Sequence, residues 1–147
     1  MTQSTLSTLY LPPDLVQEPA MDEKAFWEHC ASRRLMFQRC GECGLHRHPP
    51  IPICPACRSN SIAWTEAPAE GEVFSYTIVH HPSHPAMAAC VPYNVAIIVF
   101  PQLDNVRLIS NVVDVAPGEM AVGMKVRLHW EGPVDGVWLP RFRRSAA

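Results

Sequence analysis

The stretch CGECGLHRHPPIPICPAC, residues 40–57, sets two Cys-x-x-Cys pairs ten residues apart. In each pair both sulfurs sit on one tight knuckle, and Gly41, Gly44 and Pro55 supply turn chemistry around them. Two facing knuckles offer four thiolates as a tetrahedron, which suits zinc at Zn–S distances of about 2.3 Å. Four protein ligands leave no open coordination place, so the expected ion is structural, one Zn2+ per chain on Cys40, Cys43, Cys54 and Cys57. His46 and His48 lie between the pairs and are alternative ligands. Iron of the rubredoxin type uses the same donors, and spacing does not separate it from zinc. A thioredoxin-like redox pair needs one Cys-x-x-Cys opening a helix after a strand, and the proline-rich flanks argue against a helix here.

Working outward, residues 36–67 read as a zinc ribbon in which short strands flank the knuckles and the metal stands in for a core too small to hold itself. Before it, DEKAFWEHCASRRL (residues 22–35) places Phe26, Trp27, Cys30 and Ala31 at helical spacing, with acids early and Arg33 and Arg34 late, as the helix dipole prefers. The expected helical segment is 21–35, with Asp22 as its cap. Its aromatics suit packing on the chain's own domain or docking on a partner. Residues 1–20 read as an extended, proline-containing arm.

After Pro68 the pattern changes. GEVFSYTIVHH alternates like a strand, YNVAIIVF is a buried one stopped by Pro101, and NVRLISNVVDV is a third. GMKVRLHW alternates cleanly, EGPVDG makes a turn and VWLPRFRR closes the chain. Five short antiparallel strands and no helix of ten residues over 68–147 predict a small barrel, with the OB-fold as leading candidate. The expected fold is mainly β: an N-terminal helix, a rubredoxin-like ribbon, then a five-stranded OB barrel.

Bulk composition narrows the function. The chain of 147 residues is 48% hydrophobic, enough for a packed core, and its 15 prolines against 7 glycines favour short extended segments. A net charge of -2 gives no global attraction to nucleic acid or anionic membrane. The longest apolar run, residues 95–101, is about a third of the ~20 residues a spanning helix needs. The N-terminus does not read as a secretory signal, which points to the cytoplasm, where disulfides are rare.

Sharper chemistry is sparse. HHPSHP (residues 80–85) clusters His80, His81 and His84, but adjacent histidines on a strand face opposite ways, so a rigid loop or interface is the expectation. Cys90 in AMAACVPY lacks a flanking base and reads as a small buried hydrophobe. There is no G-x-S-x-G elbow and no glycine-rich phosphate loop. Single-stranded nucleic acid would need a basic groove, yet residues 71–131 hold only Arg107, Lys125 and Arg127 as cations. No catalytic residue is assigned, and an accessory role follows.

The helix with FWEHC, the C-x-x-C-x10-C-x-x-C ribbon, and the series GEVFSYTIVHHP, VPYNVAIIVF, SNVVDV, GMKVRLHW and LPRFRR resemble the acyl-CoA-associated zinc-ribbon/OB-fold proteins, formerly a domain of unknown function. The resemblance covers residues 22–144. Members of that family accompany a thiolase-fold protein encoded beside them, as in lipid-transfer-like aldolases of steroid side-chain breakdown and the archaeal thiolase and HMG-CoA synthase assembly. The resemblance implies a non-catalytic subunit that completes a partner's active site on acyl-CoA, with the metal on Cys40, Cys43, Cys54 and Cys57. On that reading Arg39, Arg47 and Arg58 are candidates for coenzyme A phosphates and Phe74, Tyr76 and Tyr93 for a pantetheine groove. Phe26, Trp27, His80 and His81 are candidates for partner contact. The alternatives are a free-standing CoA or acyl-CoA-binding module, or an adaptor for a hydratase of the hot-dog type.

Overall fold

A computed structural model describes residues 19–134 and 136–146. The expected arm, residues 1–20, lies outside the described residues except for its last two. A 3-10 turn, Met21–Glu23, leads into helix α1, Lys24–Ala31. The cap position is Glu23, with no side-chain bond, so Asp22 does not cap the helix. Phe26 and Cys30, four residues apart, form its buried face. The helix stops at Ser32, and Arg33 turns left-handed (φ 53°) with its N–H on the Cys30 carbonyl.

The ribbon is a three-stranded antiparallel sheet of β1 (Met36–Cys40), β2 (His46–Arg47) and β3 (Ile62–Glu66), in the order β2-β1-β3. The barrel domain follows with β4 (Glu70–Val79), β5 (Tyr93–Phe100), β6 (Val106–Ser110), β7 (Val112–Val113), β8 (Lys125–Val134) and β9 (Val137–Arg144). Its sheet order is β6-β5-β4-β8-β9-β7. Period-2 alternation sets the inside: along β5, Asn94, Ala96 and Ile98 are buried while Tyr93, Val95 and Ile97 are half-buried. Phe74 is exposed beside buried Val73, as the pleat requires, and a bulge between Val73 and Ser75 shifts the phase so that Tyr76 and Ile78 pack on the core.

The third expected strand, NVRLISNVVDV, is divided at Asn111. β6 pairs antiparallel with β5, whereas β7 pairs parallel with β9. The two edges of the sheet are therefore successive pieces of one stretch, and they meet at Asn111 through the chain rather than through a ladder. The Asn94 side chain stands in for the missing ladder. Its Nδ2 donates to the Val112 carbonyl (2.7 Å) and its Oδ1 accepts from the Val112 amide (2.8 Å). Asn111 Nδ2 donates back to the Asn94 carbonyl.

One core spans all three parts. Phe26 and Cys30 of α1, Leu35, and Phe37 of β1 pack with Val73, Ile98, Phe100, Val126 and Phe142 of the barrel. Phe37 meets Phe100 at 5.2 Å between ring centres, and Phe100 meets Phe142 at 6.1 Å. Among the described residues no helix is long and apolar enough to cross a membrane.

Candidate metal centre

The four cysteines of the doubled motif converge: their sulfurs all lie within 4.8 Å of one another. Cys40 Sγ is 3.5 Å from Cys57 Sγ, and Cys43 Sγ is 3.6 Å from Cys54 Sγ. Four sulfurs about 2.3 Å from one tetrahedral ion stand roughly 3.8 Å apart, so the cage matches zinc.

The two knuckles share one build. Amides of Glu42 and Cys43 both donate to Cys40 Sγ at 3.4 Å, and the Gly44 N–H closes the turn on the Cys40 carbonyl at 3.1 Å. In the second knuckle the amides of Cys57 and Ala56 serve Cys54 Sγ, and the Arg58 N–H closes on the Cys54 carbonyl at 2.9 Å. The residue after each second cysteine is left-handed: Gly44 at φ 81° and Arg58 at φ 64°. Glycine adopts that conformation freely, while a side chain there costs on the order of 1 kcal/mol.

Electrostatics set the sulfurs against one another. The Cys43 amide, aided by that of Glu42, holds the Cys40 thiol down to about 6. The Cys57 amide likewise lowers Cys54. Cys43 has a lowering hydrogen bond from the Leu45 amide, yet its Cys54 neighbour and burial push it up to about 11. A bound cation removes the conflict by favouring all four thiolates at once. Cys30 is different: burial pushes its thiol up to about 12, so it stays a neutral core group.

Neither histidine between the pairs turns toward the cage. His48 lies against Phe26 (4.9 Å) and Phe37 (5.3 Å). His46 Nδ1 stands 2.8 Å from Asp104 Oδ2, which also accepts the His46 amide at 3.0 Å, and its Nε2 lies 3.1 Å from Thr65 Oγ1. This Asp104–His46–Thr65 array ties the ribbon to the barrel. Sequence reasoning missed it because its members are 58 and 19 residues apart.

The other candidates fall in separate places. Arg39 and Arg58 are exposed. Arg47 is not available to a phosphate: it is 7% exposed, its Nε donates to Gln38 Oε1 (2.6 Å) and its Nη2 to the Ile51 carbonyl (3.2 Å). Register explains the split, since Gln38 faces Arg47 across β1 and β2 while Arg39 faces His46 on the opposite side. Phe26 is likewise no docking residue by itself, being 3% exposed in the core, whereas Trp27 is half-buried. Phe74, Tyr76 and Tyr93 do not share a groove. Phe74 lies outside under Arg107, Tyr76 faces the core and donates to the Met120 carbonyl (3.0 Å), and Tyr93 packs with Met87, Cys90 and Val113. His80 and His81 are exposed, while His84 accepts the Ala86 amide and caps a short turn. The four cysteines are the one metal-holding cluster among the described residues.

Comparison with known proteins matches both parts. The family described as ChsH2, rubredoxin-like zinc ribbon domain, matches residues 27–62, and that described as ChsH2, C-terminal OB-fold domain, matches residues 64–131. A probable enoyl-CoA hydratase alpha subunit of Thermomonospora curvata is 40% identical over 143 residues, 96% of this chain and 44% of that protein. The 3-oxo-4,17-pregnadiene-20-carboxyl-CoA hydratase alpha subunit of Mycobacterium tuberculosis is 30% identical over 119 residues, 80% of this chain and 37% of that protein. The chain thus spans less than half the length of these curated relatives. Among solved structures, a chain of the Ltp2-ChsH2(DUF35) aldolase superposes with a TM-score of 0.79 at 38% identity, covering 88% of this chain and 98% of that one. A DUF35-family protein of unknown function from Sulfolobus solfataricus shares the fold, with a TM-score of 0.58 at 23% identity over 86% of this chain and 87% of that one. The cage geometry and the ribbon match together assign one structural zinc to Cys40, Cys43, Cys54 and Cys57.

Proposed function

The chain belongs to the ChsH2 (DUF35) family of zinc-ribbon and OB-fold proteins, and from that premise we propose that it is the non-catalytic subunit of a heteromeric thiolase-fold enzyme acting on acyl-CoA in the cytoplasm. The reaction is carbon–carbon bond cleavage or formation, and the partner supplies nucleophile and base. The observation that carries this reading is the likeness to the Ltp2-ChsH2(DUF35) aldolase over 98% of that chain. The chain's own chemistry fits. Its metal has four protein ligands and no place for substrate. The Asp104–His46–Thr65 array fastens ribbon to barrel. Arg39 and Arg58 are the exposed ribbon arginines that meet coenzyme A phosphates, and half-buried Trp27 with exposed His80 and His81 contacts the partner.

A second reading rests on the curated relatives, both named hydratase alpha subunits: the chain serves as adaptor for a hydratase. Co-expression with the product of the neighbouring gene separates the two. The aldolase or thiolase reading expects release or joining of a carbon fragment from acyl-CoA by the pair and by neither protein alone. Hydration of an enoyl-CoA by the pair would replace it with the second reading. Enzyme-like turnover of a thioester by the isolated chain would overturn both.

A further inference from the structure

A groove of about 350 Å3 runs between α1, the 48–50 turn and the strands β6 and β9. Phe26 and Trp27 line one wall, and Leu108, Leu139 and Pro140 the other. Three features set it apart from an ordinary surface cleft. First, β6 pairs with β5 on one side and, among the described residues, with no strand on the other. No ladder joins β6 to β9 among the described residues: Pro140 has no amide hydrogen to give, and its carbonyl accepts the Ser110 hydroxyl (2.6 Å). An unpaired strand edge beside an apolar groove is a template for another backbone. Second, Ile109 stands at the rim 71% exposed. Third, Arg107 at the same rim is stacked over the Phe74 ring at 3.8 Å and has no carboxylate within ion-pairing distance among the described residues. It is a positioned cation without a counter-charge among the described residues.

We propose that this groove receives an extended segment of the thiolase-fold partner subunit, which runs along the open edge of β6, places an apolar side chain against Trp27 and Ile109, and sets a carboxylate on Arg107. This rests on the functional reading above and adds where and how the partner is held. An acyl-CoA fits the groove poorly: of the two arginines that line it, Arg141 is buried and bonded to Glu131, so several phosphate charges would meet one exposed arginine, Arg107, and face Glu23 across the opening. A polypeptide needs one carboxylate and uses the strand edge that a small molecule leaves idle.

The test uses the full chain co-purified with the thiolase-fold protein encoded beside it. Ile109→Glu and Arg107→Glu alter exposed side chains and retain the parent melting temperature, while Val122→Glu, at a position 68% exposed away from the groove lining, is the control. Expected is a loss of roughly tenfold or more in affinity for each groove variant, parent-like affinity for the control, and slowed amide exchange over 107–109 in the complex. A parent complex that forms and is indifferent to both groove variants overturns the groove and leaves the partner reading standing. If the parent chain forms no complex, the partner reading itself falls and the groove assignment with it. Self-association of the chain that Ile109→Glu abolishes would make a second copy the occupant and also overturn the proposal.

Discussion

His48 carries the sharpest consequence at the scale of one residue. Its ring is packed between Phe26 and Phe37, and its Nδ1 is buried with no hydrogen-bond partner. Burial lowers its pKa from 6.5 to about 4. The folded chain therefore keeps the ring neutral between those values while the unfolded chain binds a proton, so stability falls as pH drops from about 6.5 toward 4. His48→Phe removes that proton and the unpaired nitrogen together. With zinc in excess, the stability of His48→Phe relative to the parent should rise by up to about 3 kcal/mol between pH 7 and pH 4, read from paired denaturation curves. A difference that stays constant over that range would mean the ring is solvated. None of this is legible in LHRHPP, where His46 and His48 look equivalent; one faces Asp104 and the other two phenylalanines only once β1 and β2 are in register. The arginines teach the same point. Arg39, Arg47 and Arg58 read alike in sequence, and a one-position difference in register buries Arg47 and exposes Arg39.

Among elements, the local ones were the readable ones. Each zinc knuckle closes within five residues, from Cys40 to Gly44 and from Cys54 to Arg58, so spacing alone specified it. The helix and strands β4, β5, β8 and β9 follow from short periodic patterns. The division of NVRLISNVVDV did not, because the residue that governs it, Asn94, is 18 positions away from the backbone it serves. Its amide satisfies both backbone groups of Val112 at the point where one stretch leaves β5 for β9, in a place where Asn94 and Val112 are fully buried. Asn94→Ala would strand a buried N–H and a buried carbonyl, at about 1–3 kcal/mol each. The expected loss is about 2–6 kcal/mol by urea denaturation, with the slope of the transition unchanged. A loss below about 0.5 kcal/mol would mean that the β6–β7 junction repairs itself and that the ladder needs no side-chain bridge.

The molecule as a whole behaves differently from a ribbon tethered to a barrel. Phe26, Leu35 and Phe37 belong to the helix and ribbon, yet they are buried among Ile98, Phe100 and Phe142 of the barrel. The Asp104–His46 contact adds a polar joint to the same boundary. Sequence reading divided the chain at residue 68 because composition changes there, and contacts made across 58 positions or more leave no mark on local pattern. The physical consequence concerns zinc. Removing the ion leaves four mutually repelling or protonated sulfurs and dissolves the knuckles that anchor β1. Once β1 is released, Phe37 no longer covers Phe100, and burial of that size is worth about 3–5 kcal/mol, as aromatic-to-alanine changes in cores indicate. That is a large share of a domain's total stability, so metal loss should weaken the barrel and not only the ribbon. Stripping zinc with a strong chelator, or substituting Cys54→Ser, should therefore speed amide exchange along β5 (Tyr93–Phe100) as well as over 36–67. If β5 kept its protection in the zinc-free chain while the ribbon lost its own, ribbon and barrel would be energetically independent, and the partner would be recognising two modules rather than one metal-braced surface.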